Sequence, residues 1–166
     1  MRKASNHAVR NLGAVVALAL TLSTGVARAS HYAVADVPRL VPAAEVDKLH
    51  KAGVETTEQL LEKAGKAKDR KALAKASGIK PATLLDLAKR ADLLRIKGVG
   101  SEMVLLLEAA GVKTSADLAK QQPGALIGSV NTVNQTKKIT EKPPTEPQLA
   151  DWIAQAQKLP QVLEQK

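Results

Sequence analysis

The sequence predicts an all-α protein, a compact bundle of short helices closed by a C-terminal packing helix, and three observations predict it. First, one phrase occurs twice: Val46-x-x-Leu49-x-x-Ala52-Gly53-Val54-x-Thr56-x-x-x-Leu60 returns as Val104-x-x-Leu107-x-x-Ala110-Gly111-Val112-x-Thr114-x-x-x-Leu118. Every matched position is displaced by 58 residues, and Val41 maps onto Val99 in the same register. Eight identities at one offset mark an internal duplication. Second, the spacing says what was duplicated. Apolar residues three apart trace a helix face, and Ala-Gly-Val-x-Thr stops that helix and starts another. Third, Phe is absent and Trp152 and Tyr32 are the only aromatics, so Leu, Val and Ala must fill the core. That suits closely packed small helices better than a sheet, which favours β-branched and aromatic residues.

Taken in chain order, residues 1–29 read as a secretory signal. Arg2, Lys3 and Arg10 form a basic start, Leu12 to Leu22 an apolar run, and Ala27-Arg28-Ala29 a small-x-small cleavage pattern before Ser30. The alternative is an uncleaved inner-membrane anchor, although the run is short against the roughly 20 residues a span needs. Either reading puts residues 30–166 outside the cytoplasm, periplasmic or secreted, and membrane contact is expected only if the segment stays uncleaved. The full chain has 25 basic and 16 acidic residues, net +9; four of the basic ones and none of the acids lie in 1–29, which leaves +5. So small an excess is not the mark of a protein that must grip a polyanion. The absence of Cys removes disulfides, thiolate metal sites and cysteine nucleophiles.

Residues 30–42 are expected to be an extended leader, because Pro38 and Pro42 discourage helix. A tandem helical domain over 43–121 follows. Its first unit is a helix from Ala43 to Ala52, a hairpin, and a helix from Thr57 to Lys63. Gly53 and, in the second copy, Gly111 suit a left-handed C-terminal cap, where only glycine escapes a Cβ penalty. Thr56 and Thr114 suit the next N-cap, with Gln59 and Asp117 three residues on as capping-box partners. Gly65, Lys66 and Lys68 read as a short polar join. A middle unit runs from Asp69 to Ala76, stops at Ser77-Gly78 and restarts at Pro81, a residue preorganised for a first helical turn, to end near Asp92. The second copy places helices at Ser101 to Ala110 and Ser115 to Lys120.

Residues 122–166 are expected to be a C-terminal extension. Pro123-Gly124 breaks the pattern, and 124–134 is at most a short helix, since Gly128 and the Asn, Ser and Thr residues weaken it. Lys137 to Pro144 reads as a basic linker. Thr145-Glu146-Pro147-Gln148 then starts a helix that carries Leu149, Trp152, Ile153 and Ala156 to about Lys158, with Pro160 closing it. A lone aromatic on an apolar helical face packs a core, so Trp152 should dock this helix on the bundle.

The sharpest local signal is Ile96-Lys97-Gly98-Val99-Gly100-Ser101. A small-apolar-small hairpin before a helix lets backbone approach a ligand, and first-turn N–H groups with the helix dipole suit a phosphate. The candidate phosphate-binding residues are Gly98, Val99, Gly100 and Ser101, with Lys97 and Lys113 adding non-specific attraction. Over about residues 36–121 this pattern resembles the DNA-binding helix-hairpin-helix family, and the resemblance implies contact with the phosphodiester backbone without base reading. The equivalent hairpin of the first copy, Leu40-Val41-Pro42, departs from the pattern: proline for glycine removes an N–H, so that hairpin is expected to be structural. Glu102, in the first turn after Gly100, would compete with an incoming phosphate. Gln148-Leu149-x-Asp151-Trp152-Ile153-x-Gln155-Ala156 followed by Leu159-Pro160, together with the paired hairpins, is similar to an uncharacterised exported bacterial family with a domain of unknown function; that resemblance implies architecture and no activity.

Catalysis is not expected. His31 and His50 are the only histidines beyond residue 29 and have no metal-ligand spacing, the serines sit at caps or in loops, and no Gly-x-Ser-x-Gly elbow occurs. No cofactor and no small-molecule substrate is inferred. Two function classes remain: an exported non-catalytic binding or scaffold module for a protein partner, and an exported protein that binds duplex DNA through Gly98-Val99-Gly100, resembling the competence DNA receptor.

Overall fold

The computed structural model describes residues 31–165; the expected signal at 1–29 lies outside them. Among the described residues the chain is all-α. Its helices are α1 (Ala43–Lys51), α2 (Thr57–Ala64), α3 (Ala67–Ser77), α4 (Pro81–Leu93), α5 (Ser101–Ala109), α6 (Ser115–Leu118), α7 (Pro123–Lys137) and α8 (Glu146–Ala156), preceded by a single 3₁₀ turn (Val34–Asp36). No β-strand occurs among these residues, only an isolated antiparallel bridge between Ala33 and Thr56.

The two repeated segments share their local helix-end geometry. α1 and α5 are nine residues each and begin at Ala43 and Ser101, the sequence offset of the repeat. Both end in the same way: Gly53 and Gly111 take positive φ of 69° and 91°. Val54 N–H then returns to the Leu49 carbonyl at 2.9 Å, and Val112 N–H to that of Leu107 at 2.9 Å. The next N-caps match too, with Thr56 Oγ1 accepting from Gln59 N–H at 3.2 Å and Thr114 Oγ1 from Asp117 N–H at 3.0 Å. Only the first is a full capping box, because Gln59 Oε1 reaches back to the Thr56 N–H. Asp117 does not reciprocate; its side chain is one methylene shorter, which corrects the expectation of a second box. α6 stops after four residues where α2 runs for eight.

One core joins all the elements. Leu49 (α1), Leu60 (α2), Leu84 (α4), Leu106 and Leu107 (α5), Leu118 (α6) and Leu149 (α8) lie within it with less than 2 % of their surface exposed. α2 packs on α3 and α4, α7 packs on α5 and α8, and α8 also packs on α6. Gly78 ends α3 in the left-handed conformation and Pro81 begins α4, as the sequence predicts.

Three expectations are corrected. Residues 31–42 are not a peripheral extended leader. Tyr32 exchanges backbone and hydroxyl bonds with Thr57, and Val34, Val37, Leu40 and Val41 are buried. The prolines exclude a long helix but leave short turns that push these four side chains inward. Secondly, α7 spans 15 residues and begins at Pro123, where the sequence suggests a break. Proline at a first helical position lacks only an N–H that would be unpaired there, and burial of Leu126 and Val130 outweighs the weak propensities of Gly128 and Thr132. Thirdly, residues 137–144 are not a free linker. Lys137 closes α7, Lys138 caps it in the left-handed region, and the Asn134 amide brackets Thr140 by accepting from its N–H at 3.1 Å and donating to its carbonyl at 2.9 Å. Gly65 and Lys68 likewise belong to the packed structure, as the buried C-cap of α2 and as part of α3.

Candidate functional site

The Gly98-Val99-Gly100 hairpin hangs from the end of α4. Arg95 N–H and Ile96 N–H fold back on the carbonyls of Asp92 and Leu93, and Val99 N–H on that of Ile96. Ile96 and Val99 are buried at either side of the exposed Lys97 and Gly98. Gly98 has φ +92°, a conformation side chains rarely adopt. Gly100 is the N-cap of α5 and has no side chain to cap it; the first-turn N–H groups of Ser101 and Glu102 make no hydrogen bond among the described residues. These features match the geometry expected of the hairpin.

The C-terminal helix packs against the hairpin while leaving Lys97 and Gly98 exposed, a contact the sequence did not reveal. Gln155 of α8 grips the Lys97 backbone on both sides, accepting from its N–H at 2.9 Å and donating to its carbonyl at 3.2 Å. Trp152 is buried, as expected of a packing anchor, and its Nε1 lies 3.0 Å from where a Cβ on Gly98 would stand. Gly98 is thus fixed twice, by its own backbone and by the indole. Glu102 is held by Arg39 Nη1 at 2.7 Å and by Thr140 Oγ1 at 2.8 Å. Its charge is thereby partly offset, yet a carboxylate still stands in the first turn of α5. Among the described residues the exposed side chains of Lys97 and Lys113 make no hydrogen bond or ion pair.

The equivalent Leu40-Val41-Pro42 hairpin is closed. Leu40 and Val41 are buried, and the Leu40 carbonyl accepts from Arg90 Nη1 at 3.0 Å while Arg90 pairs with Glu108 at 3.0 Å. The remaining polar side chains do structural work. Asp92, 2 % exposed, accepts from the N–H (2.8 Å) and hydroxyl (2.7 Å) of Ser115 and from Arg95 (2.7 Å). This carboxylate fixes the start of α6, the role that Tyr32 plays for α2. Arg70, 4 % exposed, donates to the carbonyls of Ala64 and Glu164. A signal for Asp92 was present in the sequence: an acid set between Ala91 and Leu93-Leu94, with Arg95 three residues on. His50 faces Glu55 at 3.3 Å and His31 faces Glu58 at 3.5 Å. No group of three or more His, Asp or Glu suited to a metal ion occurs among the described residues. No helix of the described residues is long and apolar enough to cross a membrane.

The chain belongs to the family described as a domain of unknown function, DUF4332, whose match covers residues 40–159. The match takes in both hairpins and the Trp152 helix. No curated protein and no solved structure matches the chain.

Proposed function

We propose that the chain is a non-catalytic helical binding or scaffold module that acts outside the cytoplasm and takes a protein as its partner. One observation carries this reading: the hairpin best suited to phosphate is gripped by the chain's own C-terminal helix. Gln155 uses both polar groups of the Lys97 backbone. Trp152 packs at Gly98, and Glu102 sets a negative charge in the first turn of α5. A duplex would meet the Glu102 carboxylate beside the first-turn N–H groups it needs, and a single hairpin gives few phosphate contacts for non-specific grip. The non-catalytic part is supported by how the potential chemistry is spent: Asp92, Ser115, Arg70 and Ser77 all hold helix ends.

The second reading, duplex DNA bound through Gly98-Val99-Gly100 with Ser101, Lys97 and Lys113, draws support from the unsatisfied first turn of α5. A titration against duplex DNA at low and high salt separates the two. No binding at low salt is expected. Binding that falls steeply with salt and weakens in Lys97→Glu would replace the protein reading with the DNA one. Fractionation is expected to find the protein outside the cytoplasm; a cytoplasmic location would overturn the export reading.

A further inference from the structure

α3 presents a row of charge that the fold does not use. Lys68, Lys71 and Lys75 stand at i, i+3 and i+7, so they share one edge of the helix, about 10 Å long at ~1.5 Å per residue. All three are exposed, and none makes an ion pair or side-chain hydrogen bond among the described residues. The opposite face of α3 is buried through Arg70 and Leu73. Beyond the lysine row the outer surface passes over exposed Ala72 and reaches Asp69, with Glu62 of α2 beside it. The surface therefore has a basic edge, a small apolar middle and a mixed edge where Asp69 and Glu62 stand with Lys63.

We infer that this face of α3 docks an amphipathic helix of a partner protein, with a row of acidic side chains laid along Lys68, Lys71 and Lys75. The inference rests on the protein-binding reading and gives the partner its chemistry. Opposite charges along a helix edge steer encounter and fix register. The charge pattern favours a protein over other anions. A duplex or an anionic membrane offers one sign of charge everywhere and would leave the Asp69 and Glu62 carboxylates unmatched. A membrane would also require large apolar or aromatic side chains to enter the interface, and Ala72 supplies neither. A partner helix can set acids against the lysines, a small residue over Ala72, and a base near Asp69.

The test uses the whole chain and a fluorescent alanine-based helical peptide with glutamates at i, i+3 and i+7 on one edge and lysines on the other. A scrambled peptide of the same composition, a short duplex DNA and phosphatidylglycerol vesicles are run beside it. The patterned peptide should bind at low salt more tightly than its scramble. The triple variant Lys68→Glu, Lys71→Glu, Lys75→Glu should weaken it roughly tenfold or more. The control Lys137→Glu, Lys142→Glu, Lys158→Glu, with the same change in net charge, should leave it within about twofold. Lys→Gln at the three α3 positions gives a milder variant should the triple reversal fold poorly. Equal binding of patterned and scrambled peptides, equal loss in the two triple variants, or binding of DNA or vesicles alone through the α3 lysines would each overturn the inference. Failure here leaves the protein reading standing if the duplex titration is also negative. Only DNA binding that depends on Lys97 removes both.

Discussion

At the scale of single residues, two glycines with the same backbone differ in their surroundings. Gly98 and Gly111 have φ of 92° and 91°. A Cβ on Gly111 would meet open space, whereas one on Gly98 would stand 3.0 Å from Trp152 Nε1. Gly111→Ala should therefore cost only the backbone term, about 1 kcal/mol. Gly98→Ala should cost about 2 kcal/mol, since the indole must also move. Urea unfolding of both variants measures the difference, and equal costs would show that the Trp152 contact adds nothing. Asp92 yields a sharper contrast. Asp92→Ala leaves the Ser115 N–H without its acceptor and Arg95 with only the Pro160 carbonyl, and should cost about 3 kcal/mol. Ser115→Ala removes one hydroxyl donor while the backbone N–H still bonds to Asp92, and should cost about 1 kcal/mol. If the two costs came out equal in the same unfolding assay, the carboxylate would not be the hub that the distances imply.

At the scale of elements, what was legible in the sequence was local. The hairpins at Gly53 and Gly111 and the N-caps at Thr56, Thr114 and Thr145 were legible because their partners lie within three to five residues. Helix starts at Thr57, Pro81 and Ser115 were read to the residue, and those near Ala43 and Ser101 closely, for the same reason. What escaped was set by partners far along the chain. Tyr32 is ordered by Thr57, Thr140 by Glu102, and the Lys97 backbone by Gln155, and no pattern in the intervening residues encodes those pairings. α7 escaped for another reason: its propensities are poor, and it is stabilised by packing on α5 and α8. The candidate site divides the same way. Its glycine geometry could be read from Gly98-Val99-Gly100 alone, whereas its contact with Trp152 and Gln155 needed the fold.

At the scale of the whole molecule, the segment after α8 acts as a strap between the two copies. Arg95, beside the second hairpin, donates to the Pro160 carbonyl at 3.1 Å. Four residues later Glu164 meets the junction of α2 and α3: its N–H donates to the Gly65 carbonyl at 2.8 Å and its Oε2 accepts from Ala67 N–H at 2.9 Å. Arg70 holds the Glu164 carbonyl at 3.1 Å, and Leu163 between these anchors is buried. Gly65 makes room for the strap, since a Cβ there would stand 2.5 Å from the Val162 carbonyl oxygen. Removing residues 160–166 would expose the apolar surface under Leu163 and strip Glu164 from the ends of α2 and α3. Burial of one leucine and the lost hydrogen bonds together correspond to about 3 kcal/mol once the ordering entropy of the strap is set against them. Because the strap touches both copies, the truncated chain should still unfold in one transition, at lower urea and with both halves equally weakened. Hydrogen exchange resolves this. Equal loss of protection in α2 and α5 is expected, while loss confined to the α2–α3 junction would mean that the strap secures only the element it lies on.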